Sequence, residues 1–116
     1  MSLQPYALQG TVGGTGQTNT PWEIKNRIIS LRSISIANET RPQADPRPCW
    51  VDVLRFGADE GICIAFGNAS SYNDFVKTYG QGFTVGYEDT VLFCVRGESG
   101  DVFKINVLYK VIKLGQ

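Results

Sequence analysis

The chain contains no histidine, a single methionine and only three cysteines among its 116 residues. Without imidazole there is no Ser-His-Asp or Cys-His catalysis, no His-metal site and no proton relay tuned to neutral pH. The three cysteines, Cys49, Cys63 and Cys94, cannot all pair within one chain, and their wide spacing has none of the C-x-x-C rhythm of a zinc site. Buried free thiols are therefore expected. Neither charge is in excess: eleven Lys and Arg balance eleven Asp and Glu, and no run of like charge exceeds the pairs Asp59-Glu60 and Glu88-Asp89. Such a surface has no basic stripe with which to displace counterions from a phosphate backbone, so nucleic acid is not an expected partner. Long apolar runs are absent as well. Nothing approaches the ~20 residues of a membrane-spanning helix, and Met1-Ser-Leu-Gln-Pro-Tyr6 lacks a charged start followed by an apolar stretch. A soluble protein made in the cytoplasm, with no membrane partner, is the expectation.

What the chain has is alternation. In Asp101–Ile112 the residues Phe103, Ile105, Val107, Tyr109 and Val111 are apolar, and Lys104, Asn106 and Lys110 fall between them. That period of two marks a strand with one buried and one wet face. Thr90–Arg96 reads the same way, and Gly97-Glu-Ser-Gly100 between the two runs predicts a β-hairpin that closes a sheet. Further strands are expected at Trp22–Ile36, where the phase changes between Ile29 and Ile34 and implies two strands or one bulged strand, at Cys49–Phe56, at Ile62–Gly67 and at Phe83–Tyr87. Asn38–Pro48 contains three prolines and predicts a stiff loop. Residues 68–82 are polar with aromatic interruptions, and the spacing of Tyr72, Phe75 and Tyr79 permits a helical turn.

Seven or eight strands with turn signals between them predict an all-β fold, a single antiparallel β-sandwich, jelly-roll-like, over residues 22–116. One core is all that this length supports, with roughly 65% of the unfolded surface buried. Residues 1–21 are small, polar and glycine-rich from Gln9 onward, and predict a flexible N-terminal arm. Tyr6 and Leu8 would point to the same side of that arm and anchor it on a partner.

Chemistry is sparse. Gly13-Gly-Thr-Gly16 lacks the Gly-Lys-Ser/Thr ending of a phosphate loop. Asp52 is the one acid inside an apolar strand, expected at an edge or paired with Arg55, and Glu23 is a lesser candidate for the second carboxylate of a glycosidase. The acids Asp59-Glu60, Glu88-Asp89 and Asp101 fall in turns with no calcium-loop spacing and are expected to be solvated. The sequons Asn38-Glu-Thr40 and Asn68-Ala-Ser70 are read as chance. No enzyme, cofactor or metal is implied. More informative are Cys63, Ala65, Leu92 and Cys94, apolar residues on what should be the outer faces of two strands; they are candidates for a subunit interface. Tyr72, Phe75 and Tyr79 are candidates for partner binding, and Tyr72, Tyr79 and Trp22 supply an alternative, a carbohydrate- or receptor-binding module in which exposed rings stack on sugars.

The block Gly61-Ile-Cys-Ile-Ala-Phe-Gly67, with Phe83-Thr-Val-Gly-Tyr87, Val91-Leu-Phe-Cys-Val95 and Val102-Phe-Lys-Ile-Asn-Val107, resembles the small β-sandwich structural proteins of tailed bacteriophages, of the capsid decoration or cement type. The resemblance covers about residues 50–110. It implies a non-enzymatic protein on the capsid surface of a virion, a jelly-roll or immunoglobulin-like homotrimer that bridges shell subunits and so partners the major capsid protein or another virion protein.

Overall fold

The computed structural model describes residues 2–115. They form eight strands and, among the described residues, no helix: β1 (Gln4–Thr11), β2 (Gln17–Glu23), β3 (Arg27–Asn38), β4 (Arg47–Leu54), β5 (Ile62–Ala69), β6 (Phe75–Val85), β7 (Thr90–Arg96) and β8 (Val102–Leu114). Two antiparallel four-stranded sheets face each other, ordered β1-β8-β3-β6 and β2-β7-β4-β5. The pairs β1·β8, β2·β7, β3·β6 and β4·β5 are those of one long hairpin, with its tip between β4 and β5, whose two arms pass together from sheet to sheet.

Period-two patterning places the core between the sheets. Phe103, Ile105, Val107, Tyr109 and Val111 of β8 all point inward, beside Ile29, Leu31, Ile34 and Ile36 of β3. Val91, Phe93 and Val95 of β7 and Cys49, Val51 and Val53 of β4 meet them from the other sheet. Each of the larger side chains contributes about 1.5–3 kcal/mol on full burial. The phase change in β3 is a bulge within one strand: both of its pairings shift register between Leu31 and Ser33, which lets Leu31 and Ile34 face the same core.

Three expectations need correction. First, Thr90–Arg96 and Val102–Ile112 do not form a hairpin; β7 pairs with β2 and β4, and β8 with β1 and β3. Residues 97–101 are a corner between sheets, built around Asp101, whose Oδ2 accepts from the Glu98 N–H at 2.9 Å and from Asn38 Nδ2 at 3.3 Å. Arg41 Nε of the proline-rich loop lies 2.7 Å from the same oxygen, an ion pair by distance although its N–H is not aimed along a hydrogen bond. A Cβ on Gly97 would stand 2.6 Å from Asp101 Oδ2, so the corner requires glycine. Asp101 is thus buried rather than solvated, and so is Asp89, which accepts from the N–H groups of Gly86 and Phe56 and from Arg55 at 2.8–2.9 Å.

Second, the predicted flexible arm is two edge strands, so the sandwich begins at Gln4 rather than Trp22. Tyr6, Leu8 and Gly10 lie opposite Val107, Ile105 and Phe103, while Thr18, Thr20 and Trp22 lie opposite Val95, Phe93 and Val91. An edge strand needs only a few inward residues because its neighbour supplies the hydrogen bonds, and here the Phe103 ring covers Gly10 at 2.7 Å from where a Cβ would be. The Tyr6 ring stacks on Trp22 with centroids 4.0 Å apart, which ties the first strand of one sheet to the first of the other. The glycine cluster is a turn closed by Gly16 N–H donating to Gly13 O at 3.1 Å.

Third, residues 68–82 contain no helical turn; they end β5, bend, and begin β6. Phe75 and Tyr79 turn inward against the core, and β6 bulges between Thr78 and Phe83, where the φ of +83° at Gly82 and the Ser30 Oγ occupying its Cβ position exclude any other residue.

Candidate functional site

The register of β2-β7-β4-β5 lays out its outer face as rows. The central row runs Cys94, Trp50, Phe66 across β7, β4 and β5; one row is Arg96, Pro48, Asn68, and the row on the other side is Leu92, Asp52, Cys63. Sandwich strands usually carry polar residues outward. Here the central row is apolar, and Phe66 is 67% exposed. Its ring stacks on Trp50 at 6.5 Å between centroids and 27° between planes. Pro48, Trp50, Asp52, Cys63, Phe66 and Arg96 line a shallow hollow of about 420 Å³ on this face.

A bulge creates the arrangement. The β4·β5 register shifts between Val51 and Asp52, so that Val51 pairs with Ala65 while Asp52 pairs with Cys63, and Ile64 is the extra residue. Past the bulge the phase of β5 reverses. Ala65, expected on the outer face, is buried in the core, and Phe66, expected inside with Ile62 and Ile64, is outside.

The other interface candidates divide. Leu92 and Cys94 do point outward, but Cys94 is covered by its neighbours and only Cys63 of the three thiols is exposed. Burial, and after it the nearby Asp52 carboxylate and Cys63, pushes the Cys94 thiol up to about 11; burial alone pushes Cys49 up to about 12. Both are poor nucleophiles at neutral pH.

The partner-binding candidates do not form one site. Tyr6 and Leu8 pack against the core, as do Phe75 and Tyr79. The Tyr79 hydroxyl donates to Ile64 O at 2.7 Å, and burial, with the nearby Cys63 after it, pushes the phenol up to about 12. Trp22 lies under Tyr6, and Tyr72 alone of the proposed sugar-stacking rings stands free, at 75% exposure. The outward-facing pair of half-buried Trp50 and exposed Phe66 was missed. The signal for Trp50 was its position on the far side of β4 from Val51 and Val53; for Phe66 there was none, because a bulge is not written in hydrophobic periodicity.

The charges at the hollow are unpaired. Arg55, the expected partner of Asp52, bonds Asp89 at 2.9 Å instead and lies over the Phe83 ring. Glu23 lies two strands from Asp52 and pairs with Lys25. Among the described residues neither Asp52 nor Arg96 makes an ion pair or a side-chain hydrogen bond, and no three Cys, Asp or Glu side chains gather in a metal-binding cluster. Asp52 and Arg96 thus flank the two rings from opposite sides, one row away from them in each direction.

No family model matches this sequence, and no curated protein does. Solved structures share a distant likeness in architecture. The Drosophila NLP core, whose structure bears on pentamer formation and histone binding, aligns with a TM-score of 0.48 and 15% identity over 90% of this chain and 97% of its own. A chain of infectious bursal disease virus, Gx strain, aligns with a TM-score of 0.37 and 10% identity over 99% of this chain and 39% of that one. At such identities the likeness concerns β-architecture and says nothing of what this chain binds.

Proposed function

We propose that this chain is a non-enzymatic structural protein of a virion, of the capsid decoration type, and that it works by assembling with neighbouring subunits through the outer face of its β2-β7-β4-β5 sheet. The reading takes the wound hairpin of strands as a jelly roll, in which two Greek keys leave two sheet faces available for contacts. The observation that carries it is the central row of that face, where Trp50 and Phe66 stand outward on a strand position that a lone sandwich fills with polar residues. The formal charge of zero adds no long-range repulsion between copies.

The test is hydrodynamic. Light scattering across a concentration series should show a mass above that of one chain, and the protein should sediment with assembled viral shells. A chain that stays monomeric and remains in the supernatant would overturn the reading.

A further inference from the structure

We propose that the outer face of β2-β7-β4-β5 closes on a second copy of this chain about a two-fold axis, with Asp52 of each copy meeting Arg96 of the other. This deepens the assembly reading above and rests on it. Alternate residues on a strand stand about 6.8 Å apart and neighbouring strands about 4.8 Å. Asp52 therefore lies one row to one side of Trp50, and Arg96 one row to the other side on the adjacent strand. An axis lying in the plane of the face, along the row Cys94, Trp50, Phe66, lays that row on itself and exchanges the rows beside it. The Asp52 row then faces the Arg96 row, within reach of an arginine side chain, and the operation produces the contact twice.

Three separate features agree on this occupant. Asp52 and Arg96 are both without an ion-pair partner among the described residues, although both line the hollow. They bear opposite charge and lie symmetrically about the aromatic row, so the face is its own electrostatic complement, as an isologous contact requires. The apolar row between them would be sealed from water by the two ion pairs, the arrangement in which central aromatic residues contribute most to binding. A closed three-fold ring would need two different complementary patches instead.

Charge exchange tests this. In Asp52→Arg homodimers two guanidinium groups face each other at each contact, and in Arg96→Asp homodimers two carboxylates do, so each variant alone should dissociate with a constant raised at least about 100-fold. Mixed one to one, the two variants restore both ion pairs and should form a heterodimer by sedimentation velocity, and the double variant Asp52→Arg/Arg96→Asp should dimerise by itself. Far-ultraviolet circular dichroism should match the unmodified chain, and so should the urea midpoint at concentrations low enough for both to be monomeric, since both side chains lie on the outer face. If the unmodified chain associates but the mixture remains monomeric, or if it forms trimers that the single variants leave intact, the two-fold contact is wrong and the broader assembly reading stands. If the unmodified chain is monomeric at every concentration, the two-fold contact is wrong, and the broader reading fails with it when the chain also stays in the supernatant with assembled shells.

Discussion

Truncating Phe66 separates folding from assembly. Its ring is 67% exposed, and a phenylalanine offers about 200 Å² in all, so roughly 130 Å² is available to a partner. At ~25 cal/mol per Å² that area contributes about 3 kcal/mol when buried, of which Phe66→Ala removes about 2 kcal/mol per copy. A two-fold contact holds two such rings, so the dissociation constant should rise about 1,000-fold. The same change should leave folding stability within about 0.5 kcal/mol, the ordinary range for a surface substitution. Phe93→Ala is the contrasting control: that ring is fully buried, and its loss should cost about 3–5 kcal/mol of folding stability. Sedimentation equilibrium measures the first quantity and urea unfolding the second. An unchanged dissociation constant in a normally folded Phe66→Ala protein would show that the assembly leaves this face wet. A large fall in the urea midpoint would show instead that Phe66 supports the fold through its stack on Trp50.

Two further outcomes follow from the titrating groups. Burial raises the Asp89 carboxyl, but its hydrogen bonds from Gly86, Arg55 and Phe56 together outweigh that and hold it below the ordinary carboxylate value. A depressed folded value means that Asp89 contributes its full stability above about pH 3.9 and loses it as pH falls through that depressed value. Asp89→Asn should therefore be less stable at neutral pH and show a shallower acid limb in urea midpoints measured from pH 7 to pH 2; an unaltered limb would refute the assignment. Thiol labelling should find one reactive cysteine in the native chain, the exposed Cys63, while Cys49 and Cys94 react only on unfolding. Because Cys63 lines the hollow, its labelling rate should fall as protein concentration rises, and a rate independent of concentration would count against burial of this face.

The legible part of the fold was each strand that buries one whole face. β8 alternates without interruption from Phe103 to Val111, and β7 and β4 do nearly the same, so an all-β sandwich followed directly from the sequence. Which strand lies beside which did not follow. A glycine-containing turn between two amphipathic runs reads equally well as a hairpin or as a corner between sheets, and what decides it is Asp101, held by Asn38 and Arg41 from another part of the chain. The edge strands were hidden for a different reason. β1 and β2 bring few large apolar residues, and their order comes from backbone pairing with β8 and β7, a contribution that composition does not register.

The candidate site was half legible, and the missing half turns on one residue. Apolar residues on the second face of β7 announced that the outer surface of this sheet was unusual, and Leu92 and Cys94 do point that way. Reading β5 with unbroken alternation, however, places Phe66 inside and Ala65 outside. With Ile64 as the extra residue of a bulge, the small Ala65 enters the core opposite Val51, and the large Phe66 is delivered beside Trp50. Without the bulge the outer row would end in an alanine methyl and the core would have to admit a phenyl ring, an overpacking cost of about 1–3 kcal/mol. The irregularity in β5 thus relieves the core and builds the aromatic face in one step, between the unpaired Asp52 and Arg96.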